Sequence, residues 1–386
     1  LEYKIVITTF HGLEQTLLDE AVSLGLSGAV TINRGVSGYG DLSCVYRLNY
    51  GCRTALQVLV LLSEFSAAHA ADLYDGAKEI AWEEYFSSGK NFAVKSTINR
   101  NEAFDNSMFV SLKVKDAIAD RFRESEGKRP NVNKENPQVV VYVHVYKNEC
   151  SIFLDSSGAA LYKRGYRLET GPAPINEVLA CGILRLSGWD SQSSVLDLMC
   201  GSGTFLTEAG LIAKGIAPAF MRKEFAFMHW KNWDSEKWKA AKQAWDEAHK
   251  MVYHPDLCGI DNDLRVVRKA RKNLEHAGLG EFVRLICSDF SSFRYNGTPG
   301  IIICNPPYGE RIQPVELSSL YKSLGDTLKK NYSGTEAWIF SGSPEGFKQI
   351  GLRHSFSVQL YNGGLECRLR KYELYQGSKK TKADIE

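Results

Sequence analysis

Between Ser194 and Phe340 short apolar runs recur with helical stretches between them: Ser194–Asp197, Leu257–Asp261, Val283–Ile286, Ile301–Cys304 and Ala337–Phe340. None alternates polar with apolar residues. Successive side chains of a strand point to opposite faces, so a strand with one wet face must alternate. A run that does not alternate is buried on both faces, and strands buried in that way belong to parallel sheets covered by helices. The second half of the chain is therefore expected to be α/β, with a parallel sheet at its centre.

The first third has a different rhythm. Tyr3–Thr8 reads as a strand, and His11–Leu24 carries Leu13, Leu17, Leu18, Ala21 and Leu24 at helical spacing. Cys44–Leu48 reads as a strand, and Arg53–Leu62 as strand or helix. Ile80–Phe86 reads as a helix, Asn91–Ile98 as a strand and Ser107–Glu124 as an amphipathic helix. Val139–Tyr146 and Glu149–Leu154 form a hairpin around Lys147-Asn148. This alternation predicts α+β layers on a ferredoxin-like theme. Gly165–Pro174 reads as a linker, and the Lys-rich end from Gly377 as a frayed basic tail.

Bulk properties exclude several classes. The 386 residues suffice for two or three domains, and 44% hydrophobic with 24% charged residues is ordinary for a globular protein. The net charge of +2 does not by itself announce a nucleic-acid partner, so local clusters must carry that argument. Nine cysteines include no C-x-x-C pair and several sit in apolar runs, which predicts buried thiols and no metal site. The N-terminus lacks a signal-peptide layout, and the longest apolar stretch falls well short of the ~20 residues that a membrane span needs. A cytoplasmic protein without a membrane partner is expected.

Four short motifs follow the strands. In Asp197-Leu198-Met199-Cys200-Gly201-Ser202-Gly203-Thr204, Gly201 and Gly203 allow a sharp turn and close approach to a ligand. The segment lacks the third glycine of a dinucleotide fingerprint and the lysine of a phosphate loop, so neither NAD nor ATP is favoured. Asp261 ends the next run, where a carboxylate can accept from both hydroxyls of a ribose; Asn262 and Asp263 precede the helix predicted over Leu264–Ala277, and a cap there can hold as well because Asp261 and Asp263 are different residues. Asp289 with Phe290, after the third run, is placed to meet an adenine ring, or is an ordinary turn.

The fourth motif, Asn305-Pro306-Pro307-Tyr308, carries the most chemistry. Two prolines fix the backbone. The Asn305 side-chain oxygen and the Pro306 carbonyl are then acceptors for an incoming NH2, and Tyr308 offers a flat face for an extruded base. Cys304 is read as a buried strand residue, not as a nucleophile.

Together these motifs resemble those of class I, Rossmann-like methyltransferases that modify amino groups. The resemblance implies S-adenosylmethionine as cofactor, with Asp197, Gly201, Gly203 and Thr204 about its methionine part, Asp261 on its ribose, and Asp289 and Phe290 near its adenine. A closer resemblance covers nearly the whole chain. Lys163-Arg164-Gly165-Tyr166-Arg167, Ala173-Pro174-Ile175-Asn176-Glu177, Ile216-Ala217-Pro218, Asn305–Arg311, Tyr361-Asn362-Gly363 and Leu365-Glu366-Cys367 are similar to segments of the bacterial 23S ribosomal RNA guanine-N2 methyltransferases with an N-terminal THUMP domain.

That family implies a ferredoxin-like segment over 1–43, a THUMP RNA-binding domain over 44–160, a linker over 161–175, a methyltransferase domain over 176–376 and a tail over 377–386. It implies 23S RNA, or its precursor particle, as partner. Lys128, Arg129, Lys134, Lys163, Arg164 and Arg167, interleaved with Tyr162 and Tyr166, form a basic and aromatic set suited to phosphate contact and stacking. Arg222, Lys223, Phe225, Phe227, Trp230 and Trp233 form a second such stretch, read as a packing face or an RNA entrance. The family often has Pro where this chain has Leu198, which affects loop rigidity. Larger members append a second domain that methylates guanine N7; that activity is expected to be absent here. The same Asn-Pro-Pro-Tyr chemistry serves DNA adenine-N6 and protein glutamine-N5 methyltransferases, and a non-catalytic RNA-binding assembly factor is a further alternative.

Overall fold

A computed structural model describes residues 2–169, 174–309 and 313–375. The predicted tail, residues 170–173 of the Gly165–Pro174 linker and Arg311 of the fourth segment lie outside the described residues. The chain divides into two compact units. The first comprises residues 1–9, 17–163 and 219–245, and the second comprises 10–16, 164–218 and 246–386.

The first unit is built on a seven-stranded sheet in the order β2-β3-β1-β4-β7-β6-β5. The strands are β1 (Tyr3–Thr8), β2 (Ser27–Ile32), β3 (Gly35–Gly40), β4 (Gln57–Ser66), β5 (Phe92–Asn99), β6 (Val139–Tyr146) and β7 (Glu149–Asp155). Only β5 and β6 pair in parallel; the predicted hairpin is the antiparallel β6–β7 pair, with Tyr146 opposite Glu149. Its helices include α2 (Leu42–Gly51), α3 (Ala70–Glu79), α4 (Trp82–Tyr85) and α5 (Ser107–Glu126). On α5, Val110, Val114, Ile118 and Phe122 are buried at helical spacing, as the sequence pattern requires.

One segment departs from its predicted form. Cys44–Leu48 reads as a strand but lies within α2. Asp41 caps that helix by accepting from the Cys44 N–H, and Leu42, Cys44, Val45, Tyr46 and Leu48 are all buried. A short run that is apolar but for Arg47 is too brief for periodicity to separate helix from strand, and the cap settles it.

The segment 219–245 belongs to the first unit. Phe225 and Phe227 stack at 5.0 Å and 11° and are buried in the same cluster as Tyr46 and Trp238, while Arg222 donates to the carbonyls of Ser157, Ala159 and Ala160. The second basic and aromatic stretch is thus a packing face, with its arginine bound to backbone.

The second unit holds the other seven-stranded sheet, in the order β10-β9-β8-β11-β12-β14-β13. Its strands are β8 (Val195–Asp197), β9 (Leu257–Asp261), β10 (Val283–Cys287), β11 (Ile301–Cys304), β12 (Glu336–Ser341), β13 (Phe356–Asn362) and β14 (Leu365–Glu373). The strands from β10 to β12 run parallel, and β13 and β14 close the sheet as an antiparallel hairpin. Helices α6 (Glu177–Leu186), α7 (Thr204–Ala213), α9 (Leu264–His276), α10 (Pro314–Asn331) and α11 (Pro344–Gln349) accompany it; α8 is Ser235–Ala248. Leu196, Ile260, Ile302 and Ile339 are almost wholly buried, as expected of strands covered on both faces.

The strand order reverses at β8, which pairs with β9 on one side and β11 on the other. In open parallel sheets the crevice beyond the carboxyl ends of the strands at such a reversal is where ligands bind. Each of the four short motifs follows one of those strand ends.

Candidate cofactor and base site

A cavity of about 440 Å³ opens at this reversal. Its lining brings together Asp197, Gly201, Thr204, Asp261, Phe290 and Asn305 from the predicted set, with Ser202, Asn262, Ser288 and Pro307 beside them. Each arrives for a local reason. Asp197 and Asp261 end β8 and β9. The Gly201 backbone is left-handed at φ 54°, and a Cβ there would point into open space, so the main chain itself forms the wall. Gly203, at φ 80°, caps α7 from behind the lining, facing Ala270.

The two carboxylates have distinct partners. Asp261 accepts from the Gly201 N–H at 3.1 Å and from the Asp263 N–H at 3.1 Å, which ties the glycine turn to the end of β9. Asp263 caps α9 by accepting from the Arg265 N–H at 2.8 Å. The cap and the ligand-facing carboxylate are therefore different residues. Removing the Asp261 carboxylate deletes a charged acceptor worth about 1.5–3 kcal/mol. Asp261→Ala is accordingly expected to weaken S-adenosylhomocysteine binding by about 10–100-fold in calorimetric titration; an unchanged Kd would remove Asp261 from the site.

Asp197 is 1% exposed, and its Oδ1 accepts from the Met199 N–H at 3.2 Å. Burial pushes its carboxyl up to about 8, opposed by that hydrogen bond and reinforced by the Asp261 charge. Burial likewise raises the Asp261 carboxyl. The unfolded Asp titrates near about 4. Between about pH 4 and 8 the folded protein thus holds a proton that the unfolded chain has lost, so this group's contribution to stability falls as pH rises. The ligand-free protein should melt at progressively lower temperature across that window, and Asp197→Asn should flatten the slope. Parallel slopes for the two proteins would contradict the assignment.

Asn305 carries the most telling feature of the cavity. Its side-chain oxygen is buried and has no hydrogen-bond partner. A buried amide oxygen left unsatisfied costs about 1–3 kcal/mol, and folded proteins rarely leave one without a reason. Cys304, just before it, is almost wholly buried, and burial raises its thiol well above the ordinary range. It has no thiolate character, in keeping with a strand residue.

Three predicted site residues are placed otherwise. Tyr308 is 2% exposed; its hydroxyl accepts from Asn362 Nδ2 at 3.1 Å and its ring lies against Gly342, so it presents no free face to a base in this structure. Pro306 is buried and absent from the lining, whereas Pro307 is part of it. Asp289 is exposed, and its carboxylate accepts from the Ser291 N–H and hydroxyl, an Asx turn at the end of β10.

The basic set divides. Lys128, Arg129 and Lys163 are exposed residues of the first unit. Arg129 also lines a recess of about 610 Å³ with Lys113, Lys115 and Arg123. Arg164 and Arg167 belong to the second unit and are committed elsewhere. Arg164, 2% exposed, pairs with Glu208 at 3.5 Å, and the Tyr166 hydroxyl donates to the same carboxylate at 2.8 Å. Arg167 donates to Glu177, the Ile175 carbonyl, Ser202 and Thr204. A basic side chain engaged by a buried carboxylate is not free to meet a phosphate, however much its sequence neighbourhood resembles a phosphate contact.

None of the nine cysteines forms a disulfide, and all but Cys287 are buried. Among the described residues no group of three or more His, Cys, Asp or Glu could hold a metal, and no helix is long and apolar enough to cross a membrane.

Comparison with known proteins places the whole chain. Three family profiles match: one described as "RlmL ferredoxin-like domain" over residues 4–59, one as "THUMP domain" over 67–155, and one as "RMKL-like, methyltransferase domain" over 164–371. The Synechocystis sp. protein named "Putative RNA methyltransferase slr0064" is 37% identical over 369 residues, 95% of this chain and 96% of that one. The Pseudomonas paraeruginosa "Ribosomal RNA large subunit methyltransferase K/L" is 37% identical over 378 residues, 95% of this chain and 52% of that one. The chain thus spans about half the length of the K/L relatives it matches. Among solved structures, that of SMU.472 in complex with SAH aligns with a TM-score of 0.88 at 28% identity, covering 98% of this chain and 99% of the other.

Proposed function

The chain belongs to the RMKL-like methyltransferase family, and on that premise we propose that it transfers a methyl group from S-adenosylmethionine to the exocyclic N2 of a guanine in 23S ribosomal RNA. The observation that carries the reading is the unpartnered, buried Asn305 oxygen in the wall of the cavity. An exocyclic amine delocalises its lone pair into the ring and is a poor nucleophile. An acceptor that holds one of its hydrogens favours the pyramidal form, in which the lone pair points outward. Asn305 would supply that acceptor through its side chain, with the Pro306 carbonyl as the second.

The residues present fit the cofactor. The Gly201 backbone leaves room for close approach, and Asp261 offers an acceptor to ribose hydroxyls. Asp197, Gly203 and Thr204 build the turn that would hold the amino-acid arm, and Phe290 walls the adenine side. When bound, S-adenosylmethionine provides a methyl group on a sulfonium centre. This chain's part is alignment and exclusion of water, from which a large share of the barrier reduction in such displacements derives.

RNA as the polymer rests on the THUMP match and on the names of the K/L and slr0064 relatives. In this reading Lys128 and Arg129 are exposed cations of the RNA-holding module over residues 44–160, Lys163 stands just past its end in the linker, and the protein is cytoplasmic. A competition assay with labelled cofactor and equal amounts of 23S RNA, duplex DNA and a glutamine-bearing protein tests the class of substrate. Label is expected in the RNA; label in DNA or protein instead would overturn the proposal.

A further inference from the structure

The cavity wall, among the described residues, contains two aspartates and no lysine or arginine. A nucleoside sulfonium with an amino-acid arm brings an ammonium and a carboxylate into that space. The aspartates suit the ammonium and the ribose; the carboxylate needs donors of its own. The cation beside the wall is Arg167, whose side chain is 13% exposed.

The guanidinium of Arg167 is held on three sides. Nε donates to Glu177 Oε1 at 2.8 Å and Nη2 to the Ile175 carbonyl at 3.0 Å. On the cavity side Nη2 donates to Thr204 Oγ1 at 3.1 Å and Nη1 to Ser202 Oγ at 3.4 Å. A hydroxyl has one proton and two lone pairs. When an arginine engages a lone pair, the hydroxyl acts toward its other neighbours as a donor. Ser202 and Thr204 both line the cavity, with oxygens 3.5 Å apart in a long hydrogen bond that either can donate; an anion that displaces this contact can take both protons. Glu177 largely balances the arginine's charge, and the effect is therefore one of orientation more than of long-range field.

We propose that Arg167 is a positioning residue for the carboxylate end of the cofactor's amino-acid arm, acting by turning the Ser202 and Thr204 hydroxyls into paired donors toward it. This rests on the reading of the cavity as an S-adenosylmethionine site.

The test compares two ligands on the full chain by titration calorimetry. S-adenosylhomocysteine carries the amino-acid arm, and 5′-methylthioadenosine lacks it. Arg167→Ala should weaken S-adenosylhomocysteine about tenfold, the size of one charge-assisted hydrogen bond, and leave methylthioadenosine within about twofold. Thr204→Val keeps the side-chain shape and should reproduce the selective loss, which covers the case in which Arg167→Ala does not fold. Arg167→Lys, with one point of attachment in place of a fork, should recover only part of it. Equal weakening of both ligands would reduce Arg167 to a structural strut and overturn the proposal. So would unchanged S-adenosylhomocysteine affinity with weakened RNA binding, which would return Arg167 to the RNA. If the unsubstituted protein binds neither ligand, the cofactor reading itself fails and this inference falls with it.

Discussion

Asn305→Ala should lower kcat by about 10²–10³-fold, the typical cost of deleting one preorganised transition-state hydrogen bond, while leaving the Kd for S-adenosylhomocysteine within about twofold. The asymmetry follows from what the side chain faces. Asn305 has no hydrogen bond to the fold through its oxygen, so its loss removes an acceptor without breaking a native hydrogen bond at that atom. The two aspartates and the glycine turn that would hold the cofactor arise from other strands. Single-turnover rates with saturating RNA separate the two effects. Near-normal turnover would exclude the acceptor mechanism, and a large loss of cofactor affinity would move Asn305 into the cofactor site.

The largest effect on stability is expected at Glu208, which does not line the cavity. Its carboxylate is fully buried on α7, pairs with Arg164 at 3.5 Å, and accepts from the Tyr166 hydroxyl and the Cys181 thiol, each at 2.8 Å. Two buried charges gain little over a well-packed apolar pair, but removing one strands the other without its counter-charge. Glu208→Ala should therefore cost about 3–5 kcal/mol, seen as a lower denaturant midpoint at unchanged slope. Glu208→Gln, which keeps the acceptor oxygen, should cost less. A loss below about 1 kcal/mol would mean that water reaches the pair and that it behaves like a surface contact. Because α7 begins at the glycine turn, the alanine variant should also bind cofactor poorly at temperatures where it is only partly folded.

What the sequence revealed and what it hid divide along physical lines. The parallel strands were legible because burial on both faces leaves an unbroken apolar run, as in Ile301–Cys304. Asp197, Asp261 and Asn305 were legible because each follows such a run directly. Asp263 as a cap and Asp261 as a cavity carboxylate were separable by their positions alone. By contrast, Tyr308 looks free in its motif. Its burial depends on Asn362, from an antiparallel hairpin 54 residues downstream. Arg164, Tyr166 and Arg167 have the composition of a nucleic-acid patch, and only the arrival of Glu208 and Glu177 beside them in the fold discloses that they are engaged within it. Local sequence carries periodicity and turn chemistry; it does not carry the identity of a distant partner. The hairpin of β13 and β14 went unassigned as secondary structure, although its segments Tyr361-Asn362-Gly363 and Leu365-Glu366-Cys367 were among those with a family resemblance.

The most direct test of the central claim is the chemical identity of the product. Unmodified bacterial 23S RNA is incubated with methyl-labelled S-adenosylmethionine and the protein, digested to nucleosides and resolved by mass spectrometry. The account predicts label in N2-methylguanosine, abolished in Asn305→Ala. Label in N6-methyladenosine, or none in RNA while a DNA or protein substrate is labelled, would contradict it.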